Sequence, residues 1–310
     1  MTPADLSRCV VSAVRRAVED GELGGIVPAR VVVERTRPGG VGEYATPVAF
    51  QIAKGAGLRP AQVAEVLARR LGGVAGIERV EITGAGFLNF SLTSVSAARL
   101  VRDVRPLAVV EVPDPPSGEP RERFVRAAVA RIEAAQGVGP GPEFPIAPVA
   151  RRDGDVLARY GGDAVAWAVL TTPARETPEF SDTLLVQGEG NELFRVRYAH
   201  ARAHALVRNA EQLGFRPEIG DDVDAPALLR VLADHPLVLE AAAHHRAPER
   251  LARHLVELAD ALLDFQYRVL PQGDEKPSAA HRARLALAEA VGTVLAGGLA
   301  LLGIDAPTRL

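Results

Sequence analysis

Hydrophobic positions in the first hundred residues switch between helical and strand-like spacing. Leu6–Glu19 carries apolar residues at helical spacing, and Pro60–Gly72 does the same between a proline and a glycine that bound a helix. Ala29–Glu34 is rich in β-branched residues, and Glu78–Thr83 and Phe87–Leu92 flank a glycine-containing turn, so three strands are predicted. The pattern indicates an α+β domain.

The remainder of the chain has helical periodicity and no strand pattern. Val104–Pro148 is rich in proline and glycine around one predicted helix, Arg121–Gln136. From Leu184 onward only helical patterns occur, and prolines interrupt them. We therefore predict an α+β domain over residues 1–103, a linker with one helix over 104–183, and an all-α domain over 184–310.

Composition and charge restrict the ways in which this chain could bind a partner. The 310 residues are 47% hydrophobic and carry a net charge of -3, so no general polybasic surface is available and any nucleic-acid contact must be local. Charged residues run through the first stretch of sequence and Cys9 is the single cysteine, so we expect a cytoplasmic protein without a disulfide. The apolar run Val291–Ile304 is shorter than the ~20 residues of a membrane span and predicts a buried helix.

Period-two alternation separates two faces of the predicted strand at residues 87–92. Leu88 and Phe90 share one face, which we predict to be the core, whereas Phe87 and Asn89 share the other. An aromatic ring beside an amide on an open sheet can stack on one base and hydrogen-bond its edge. The alternative is that Phe87 fills a second small core against a neighbouring helix.

The first of two blocks with a family resemblance lies in the α+β domain. GEYATPVAFQIAKGAGLRPAQVAEVLARRL (Gly42–Leu71) and IERVEITGAGFLNFSL (Ile77–Leu92) together resemble the additional N-terminal domain of arginyl-tRNA synthetases. The resemblance implies that Phe87 and Asn89 meet the elbow of tRNA at its D-loop.

The second block lies at the other end of the chain. NELFRVRYAHARAHAL (Asn191–Leu206) and the stretch Ala283–Leu310 resemble the first and last helices of the DALR anticodon-binding domain in the same family, and Arg159–Leu170 resembles the end of the synthetase body. This resemblance implies tRNA as the partner, with arginine tRNA as the first candidate. Asp264 stands near the position where the family has an aromatic residue, and a carboxylate there would repel phosphates.

The segments with which class I synthetases hold ATP have no recognisable counterpart. Those enzymes use a His-x-Gly-His segment and a lysine-rich loop, whereas none of the seven histidines has that spacing and the only lysines are Lys54 and Lys276. We therefore expect a protein that binds tRNA, needs no cofactor and is not an enzyme. It would sequester tRNA or present it to a partner. The alternatives are an accessory role in an arginyl-tRNA-dependent pathway, or a protein-interaction module that has lost RNA binding.

The helix predicted after Asn191 carries further candidate RNA contacts. Helical spacing predicts a buried stripe made of Phe194, Tyr198, Ala201 and Ala205. The predicted RNA-binding residues of the all-α domain are Arg195, Arg197, Tyr198, His200 and Arg202, in addition to Phe87 and Asn89 of the first domain. The alternative for the arginines is a set of salt bridges with Glu189, Glu192 or Glu211 on a solvated helix.

A zinc site is the remaining candidate chemistry on this helix. His200 and His204 are four residues apart and so share one helix face. The H-E-x-x-H arrangement needs a glutamate directly after the first histidine, where this chain has Ala201. We therefore expect no metal.

Overall fold

The chain folds into two compact units. The structure is a computed structural model that describes residues 1–37, 39–93, 96–107 and 119–310. The units comprise residues 1–95 and 96–310, so the division precedes the boundary that the sequence suggested after Asp103. Two helices of the second unit lie in segments that the sequence placed before the all-α domain. They are Ala97–Asp103 and Pro120–Ala135, and both contact other helices of the second unit.

The first unit combines three helices with a small sheet, as the α+β prediction required. Its described elements are α1 (Pro3–Glu19), β1 (Glu34–Arg35), β2 (Tyr44–Thr46), α2 (Val48–Ala56), α3 (Pro60–Leu71), β3 (Ile77–Thr83) and β4 (Phe87–Leu92). The strand order is β1-β2-β4-β3 and each neighbouring pair is antiparallel. Strand β4 is therefore paired on both sides.

Local capping and an apolar face position the helices on this sheet. Thr2 and Asp5 form a capping box at the start of α1, where each side chain accepts a hydrogen bond from the backbone N–H of the other. Leu6 and Val10 of α1 and Leu67 of α3 are completely buried, and the two helices contact each other. The predicted core strand face is also confirmed, because Leu88 and Phe90 are completely buried.

The strand predicted at residues 29–34 forms only at its end. Val31 and Val33 are buried, but the backbone carbonyls of this segment accept hydrogen bonds from side chains. The hydroxyl of Ser7 donates to the Val31 carbonyl at 2.8 Å, and the hydroxyl of Thr46 donates to the Val32 carbonyl at 2.6 Å. The segment is held by these hydroxyls, and ladder pairing begins at Glu34.

The described part of the second unit contains helices and no strand, as predicted for the all-α domain. Its helices are α4 (Ala97–Asp103), α5 (Pro120–Ala135), α6 (Val156–Tyr160), α7 (Gly162–Thr171), α8 (Glu192–Gln212), α9 (Pro226–His245), α10 (Pro248–Phe265) and α11 (Ala279–Leu302), with short 3-10 helices at Arg151–Asp153, Asp182–Leu185 and Gln266–Arg268. Helices α8, α10 and α11 contact one another, and α10 also contacts α5, α7 and α9. The proline-rich stretch predicted before α5 lies mostly outside the described residues.

The apolar run near the end of the chain belongs to α11. Among the described helices, α11 is the one whose length and composition would allow it to cross a membrane, but 78% of its apolar window is buried inside the protein. It contacts α4, α5, α7, α8 and α10. The prediction of a buried helix is therefore confirmed, and that helix is longer than the apolar run alone suggested.

Candidate nucleic-acid interface

An exposed aromatic pair marks the sheet of the first unit. Phe87 at the start of β4 is 44% exposed, and its ring lies 5.0 Å from that of Phe50 on α2, which is 38% exposed. Phe87 therefore remains accessible instead of filling a second buried core. Phe50 was not among the residues predicted from the sequence. The helical spacing of Val48 and Ile52 could have indicated it, because Phe50 falls outside the stripe that these two buried residues form.

Asn89 does not share this exposure, so the predicted pairing of a ring and an amide on an open face is wrong. Asn89 is 5% exposed, and its side-chain amide donates to the hydroxyl of Thr83 at 2.7 Å. The reason is its place in the sheet: Ala45 and Glu81 flank it on the two neighbouring strands, and α2 contacts β4. Alternation predicts which face a side chain occupies, but the neighbours decide whether that face is open.

The buried stripe of α8 differs from the predicted one. The residues that α8 buries are Leu193, Val196, Ala199, His200, Ala201, Ala203, Leu206 and Ala210. Of the four predicted members Ala201 is buried, Phe194 and Ala205 are half-buried, and Tyr198 is 41% exposed. Because α8 contacts both α10 and α11, its buried face is turned toward the gap between them.

Tyr198 is consequently an accessible aromatic side chain on α8. Its ring stacks on that of Phe194, one turn earlier, with centroids 5.9 Å apart and planes 14° from parallel. This contact supports the tyrosine ring from one side.

Two of the predicted RNA-binding arginines are engaged within the protein. Arg195 lies 3.3 Å from a carboxylate oxygen of Asp260 and donates to the Glu189 carbonyl at 3.2 Å. Arg197 pairs with the carboxylate of Asp163 and donates to a backbone carbonyl further along the chain. These arginines do form salt bridges, as the alternative interpretation expected. Their carboxylate partners, however, come from other helices and not from the glutamates near α8 in the sequence.

His200 is also a packing residue. It is 2% exposed, and its Nδ1 donates to the Pro307 carbonyl at 3.0 Å, since a carbonyl can only accept. Its Nε2 lies 3.2 Å from Nε2 of His204. Burial lowers the pKa of His200, which favours the neutral ring. Among the described residues, no group of three or more His, Cys, Asp or Glu could hold a metal ion.

Arg202 leads to a second exposed tyrosine. Its guanidinium donates to the side-chain oxygen of Gln266 at 2.6 Å, in the short helix that follows α10. The next residue, Tyr267, is 68% exposed, whereas Phe265 is buried. Neither of these two aromatic residues was among the candidates predicted from the sequence, which pointed only to Asp264 in this region.

These contacts align one side of α8 with the end of α10. Arg195, Tyr198 and Arg202 follow one another at helical spacing, and the first and last of them contact Asp260 and Gln266. We call this surface the α8–α10 face, and it consists of Arg195, Tyr198, Arg202, Asp260 and Tyr267. It offers two exposed rings with arginines beside them, the combination that binds unpaired nucleotides.

The two units define a class of protein, namely one that joins a small α+β domain to a helical anticodon-binding domain. The family model described as the arginyl tRNA synthetase N terminal domain matches residues 5–92, and the DALR anticodon binding domain matches residues 196–310. The chain therefore belongs to the arginyl-tRNA synthetase family, of which it carries the two terminal domains.

Individual relatives agree with this assignment. The arginine–tRNA ligase of Frankia alni is 26% identical over an alignment of 553 residues that covers 100% of both sequences, so this 310-residue chain is a shortened form. The structure of Thermus thermophilus arginyl-tRNA synthetase matches with a TM-score of 0.67 at 16% identity and covers 100% of both chains. That of Plasmodium falciparum arginyl-tRNA synthetase matches with a TM-score of 0.62 at 9% identity over 99% of both chains. At these identities the two structures support the fold.

These matches contradict the prediction that the chain is not an enzyme. The Frankia relative aligns along the whole chain and is named as a ligase. The missing ATP-binding motifs are a property of the sequence, and they do not show that the protein is inactive.

Proposed function

We propose that the protein binds tRNA, with the α8–α10 face contacting the anticodon loop and the Phe50–Phe87 pair contacting a second part of the molecule. The observation that carries this proposal is the exposure of Tyr198 and Tyr267 within the region that matches an anticodon-binding domain. Exposed tyrosines beside arginines suit unpaired bases, which an anticodon loop presents. Through this binding the protein would hold tRNA or present it to a partner.

Stacking should carry most of the affinity, because few cations are available. The net charge is -3, and the arginines of this surface have partners within the protein: Arg195 pairs with Asp260, and Arg202 bonds to Gln266. Each base stacked on an aromatic side chain contributes about 1–3 kcal/mol. We therefore expect moderate affinity with a shallow dependence on salt.

A salt titration tests the proposal. The purified protein would be titrated with arginine tRNA and with total tRNA at several salt concentrations. We expect the affinity to fall only slightly as the salt concentration rises, because this surface can make few phosphate contacts. Each such contact contributes about 0.7–0.9 to the slope of log K against log salt. No binding at the lowest salt concentration would refute the proposal.

Removal of the exposed tyrosine rings should weaken binding strongly. Tyr267→Ala and Tyr198→Ala are each expected to reduce tRNA affinity by about 5- to 150-fold, which corresponds to about 1–3 kcal/mol for one lost stack. Leu213→Ala is the matched control, because Leu213 is a large apolar side chain of the same unit, 54% exposed, outside the α8–α10 face. Equal affinity of the tyrosine variants and the control would exclude this face as the binding surface.

Removal of the carboxylate beside Arg195 should have the opposite effect. Asp260→Asn takes away a negative charge that is 47% exposed and frees the guanidinium 3.3 Å from it. We expect tighter tRNA binding and a slope of log K against log salt that steepens by about 0.7–0.9, as for one more phosphate contact. Asp274→Asn changes the net charge equally at an exposed position outside the face and serves as the control. The same gain in both variants would indicate only a general charge effect.

A protein-interaction module is the second candidate, and the charge of the same face favours it. Asp260 and Asp264 precede the exposed ring of Tyr267 in the sequence, and Asp264 is itself exposed, so carboxylates lie close to this ring. An exposed aromatic side chain with a polar surround is an arrangement found at protein–protein interfaces. A chain that folds but binds no tRNA in the salt titration would support this candidate.

A further inference from the structure

A short segment after α11 occupies basic side chains of α8. Arg197 donates through Nε to the Asp305 carbonyl at 2.9 Å, His200 donates to the Pro307 carbonyl at 3.0 Å, and Arg208 donates to the Thr308 carbonyl at 3.4 Å. All three acceptors are backbone carbonyls within residues 305–308. We call these four residues the latch segment. The first and last donors, Arg197 and Arg208, are eleven positions apart on α8, or about 16 Å at 1.5 Å per residue.

Polar contacts dominate the attachment of the latch segment. Its residues are exposed or half-buried, whereas Ile304 directly before it is 3% exposed. The end of α11 is secured independently, because Gly303 adopts the left-handed conformation and the Ile304 N–H donates to the Leu299 carbonyl at 2.9 Å. The segment could therefore detach without loss of core packing, as expected of elements with few buried apolar contacts.

The same donors would suit an RNA backbone. Backbone carbonyls are neutral acceptors, and an ionised oxygen such as that of a phosphate forms a hydrogen bond with a charged donor that is roughly twice as strong. Three donors in one row along a helix also match the linear arrangement of phosphates in a strand. Tyr198 is the residue after Arg197, so its exposed ring and this row of donors lie at the same level of α8.

We propose that the latch segment is a built-in competitor of RNA, whose carbonyls take the donors of Arg197, His200 and Arg208 until a nucleic-acid strand displaces them. The proposal rests on the proposed tRNA binding and adds its regulation. It also explains why residues that resemble RNA contacts in the sequence are engaged within the protein. Arg197 keeps its ion pair with Asp163 whether the latch segment is attached or released. The additional hydrogen bonds to RNA that release makes possible therefore come mainly from His200 and Arg208.

Shortening the chain tests the competition. A variant that ends after Ile304 is compared with the complete chain for affinity toward arginine tRNA at several salt concentrations. If the latch segment is released in about one molecule in ten, its removal should tighten binding about tenfold. Unchanged or weaker binding by the shortened chain, with the complete chain still binding, would overturn the latch and leave tRNA binding intact. No binding by either chain would refute both proposals.

Arg208→Gln provides the matched control. In the complete chain this change should alter affinity little, because the latch segment already occupies the donor. In the shortened chain the same change should remove part of the increase in tRNA affinity that the truncation produces. Equal effects of Arg208→Gln in the two chains would contradict the competition.

Hydrogen exchange on the complete chain gives a second readout that needs no truncation. The exchange readout is the backbone amide of Ile304, which donates to the Leu299 carbonyl directly before the latch segment. It should exchange faster when tRNA is bound, because displacement of the segment loosens the adjoining end of the chain. Slower exchange on tRNA binding would show that the segment forms part of the RNA-binding surface, which would overturn its role as a competitor.

Discussion

Replacement of Arg121 by alanine is expected to destabilise the second unit by about 3 kcal/mol, because it would leave several buried backbone carbonyls without a donor. Arg121 lies on α5 and is completely buried. Its guanidinium donates to the carbonyls of Ala147 at 2.6 Å and Pro173 at 2.9 Å, and also to the carbonyl of Glu176. One side chain thus holds two irregular segments against a helix.

The magnitude follows from what alanine would leave behind. Three carbonyls would lose their donor together, and a buried polar group without a partner costs about 1–3 kcal/mol. Burial already lowers the pKa of Arg121, which shows that the site offers the charge little solvation. Arg121→Lys should recover only part of the loss, because a compact ammonium lacks the planar fork of the guanidinium.

Thermal unfolding measures this effect. A loss of about 3 kcal/mol lowers the Tm of a unit of this size by about 6–12 °C. The control is Arg126→Ala on the same helix, where Arg126 pairs with Glu122 at 2.8 Å and both side chains are at least 30% exposed. Such a pair contributes about 0.2–1 kcal/mol. A Tm change for Arg121→Ala no larger than that of the control would show that the buried guanidinium contributes little.

The stability of the second unit should fall as the pH is lowered below about 6.5, and His235 is the cause. His235 of α9 is 9% exposed, and its ring stacks on that of His254 of α10 with centroids 5.2 Å apart. Among the described residues its Nδ1 has no hydrogen-bond partner. Burial lowers the pKa of His235 to about 4.

The sign of this dependence follows from proton uptake. The unfolded chain binds a proton at His235 near its ordinary pKa of about 6.5, whereas the folded protein does so only near 4. Between these values the unfolded state holds more protons, so acid favours unfolding. A difference of about 2.5 pKa units corresponds to about 3 kcal/mol, lost progressively from about pH 6.5 to about pH 4.

Denaturant unfolding at several pH values tests this prediction. His235→Leu should remove the contribution, so the stability difference between the variant and the parent protein should change by up to about 3 kcal/mol across this pH range. His244→Gln, an exposed position on the same helix, is the control and should keep the parental dependence. Parallel pH profiles for His235→Leu and the parent protein would exclude His235 as the cause.

Several elements were predictable because their signals are local. The start of α3 at Pro60 and its end before Gly72 were predicted from the sequence, and α5 differs from its predicted bounds by one residue at each end. Strand β4 was predicted with its correct bounds. Proline, glycine and the period of apolar residues act within one turn or one hairpin, so a sequence window contains the information.

The candidate site was predicted less completely, because exposure depends on distant neighbours. The ion pair of Arg195 with Asp260 joins residues far apart in the chain. The buried face of α8 could not be inferred from its own spacing, since alanine, histidine and aromatic residues occur on more than one side. Asn89 lies on the predicted face of β4, but its flanking strands and α2 decide that it is buried.

The two domain types, their order and the family could all be inferred from the sequence, because these depend on local periodicity and on motifs of consecutive residues. Which candidate side chains remain accessible became known from the packed structure. It left Phe87, Tyr198 and Tyr267 exposed, and it engaged Arg197 and His200 with the segment after α11. The physical reason is that a side chain's accessibility depends on every element packed around it, and packing brings together residues that no local pattern connects.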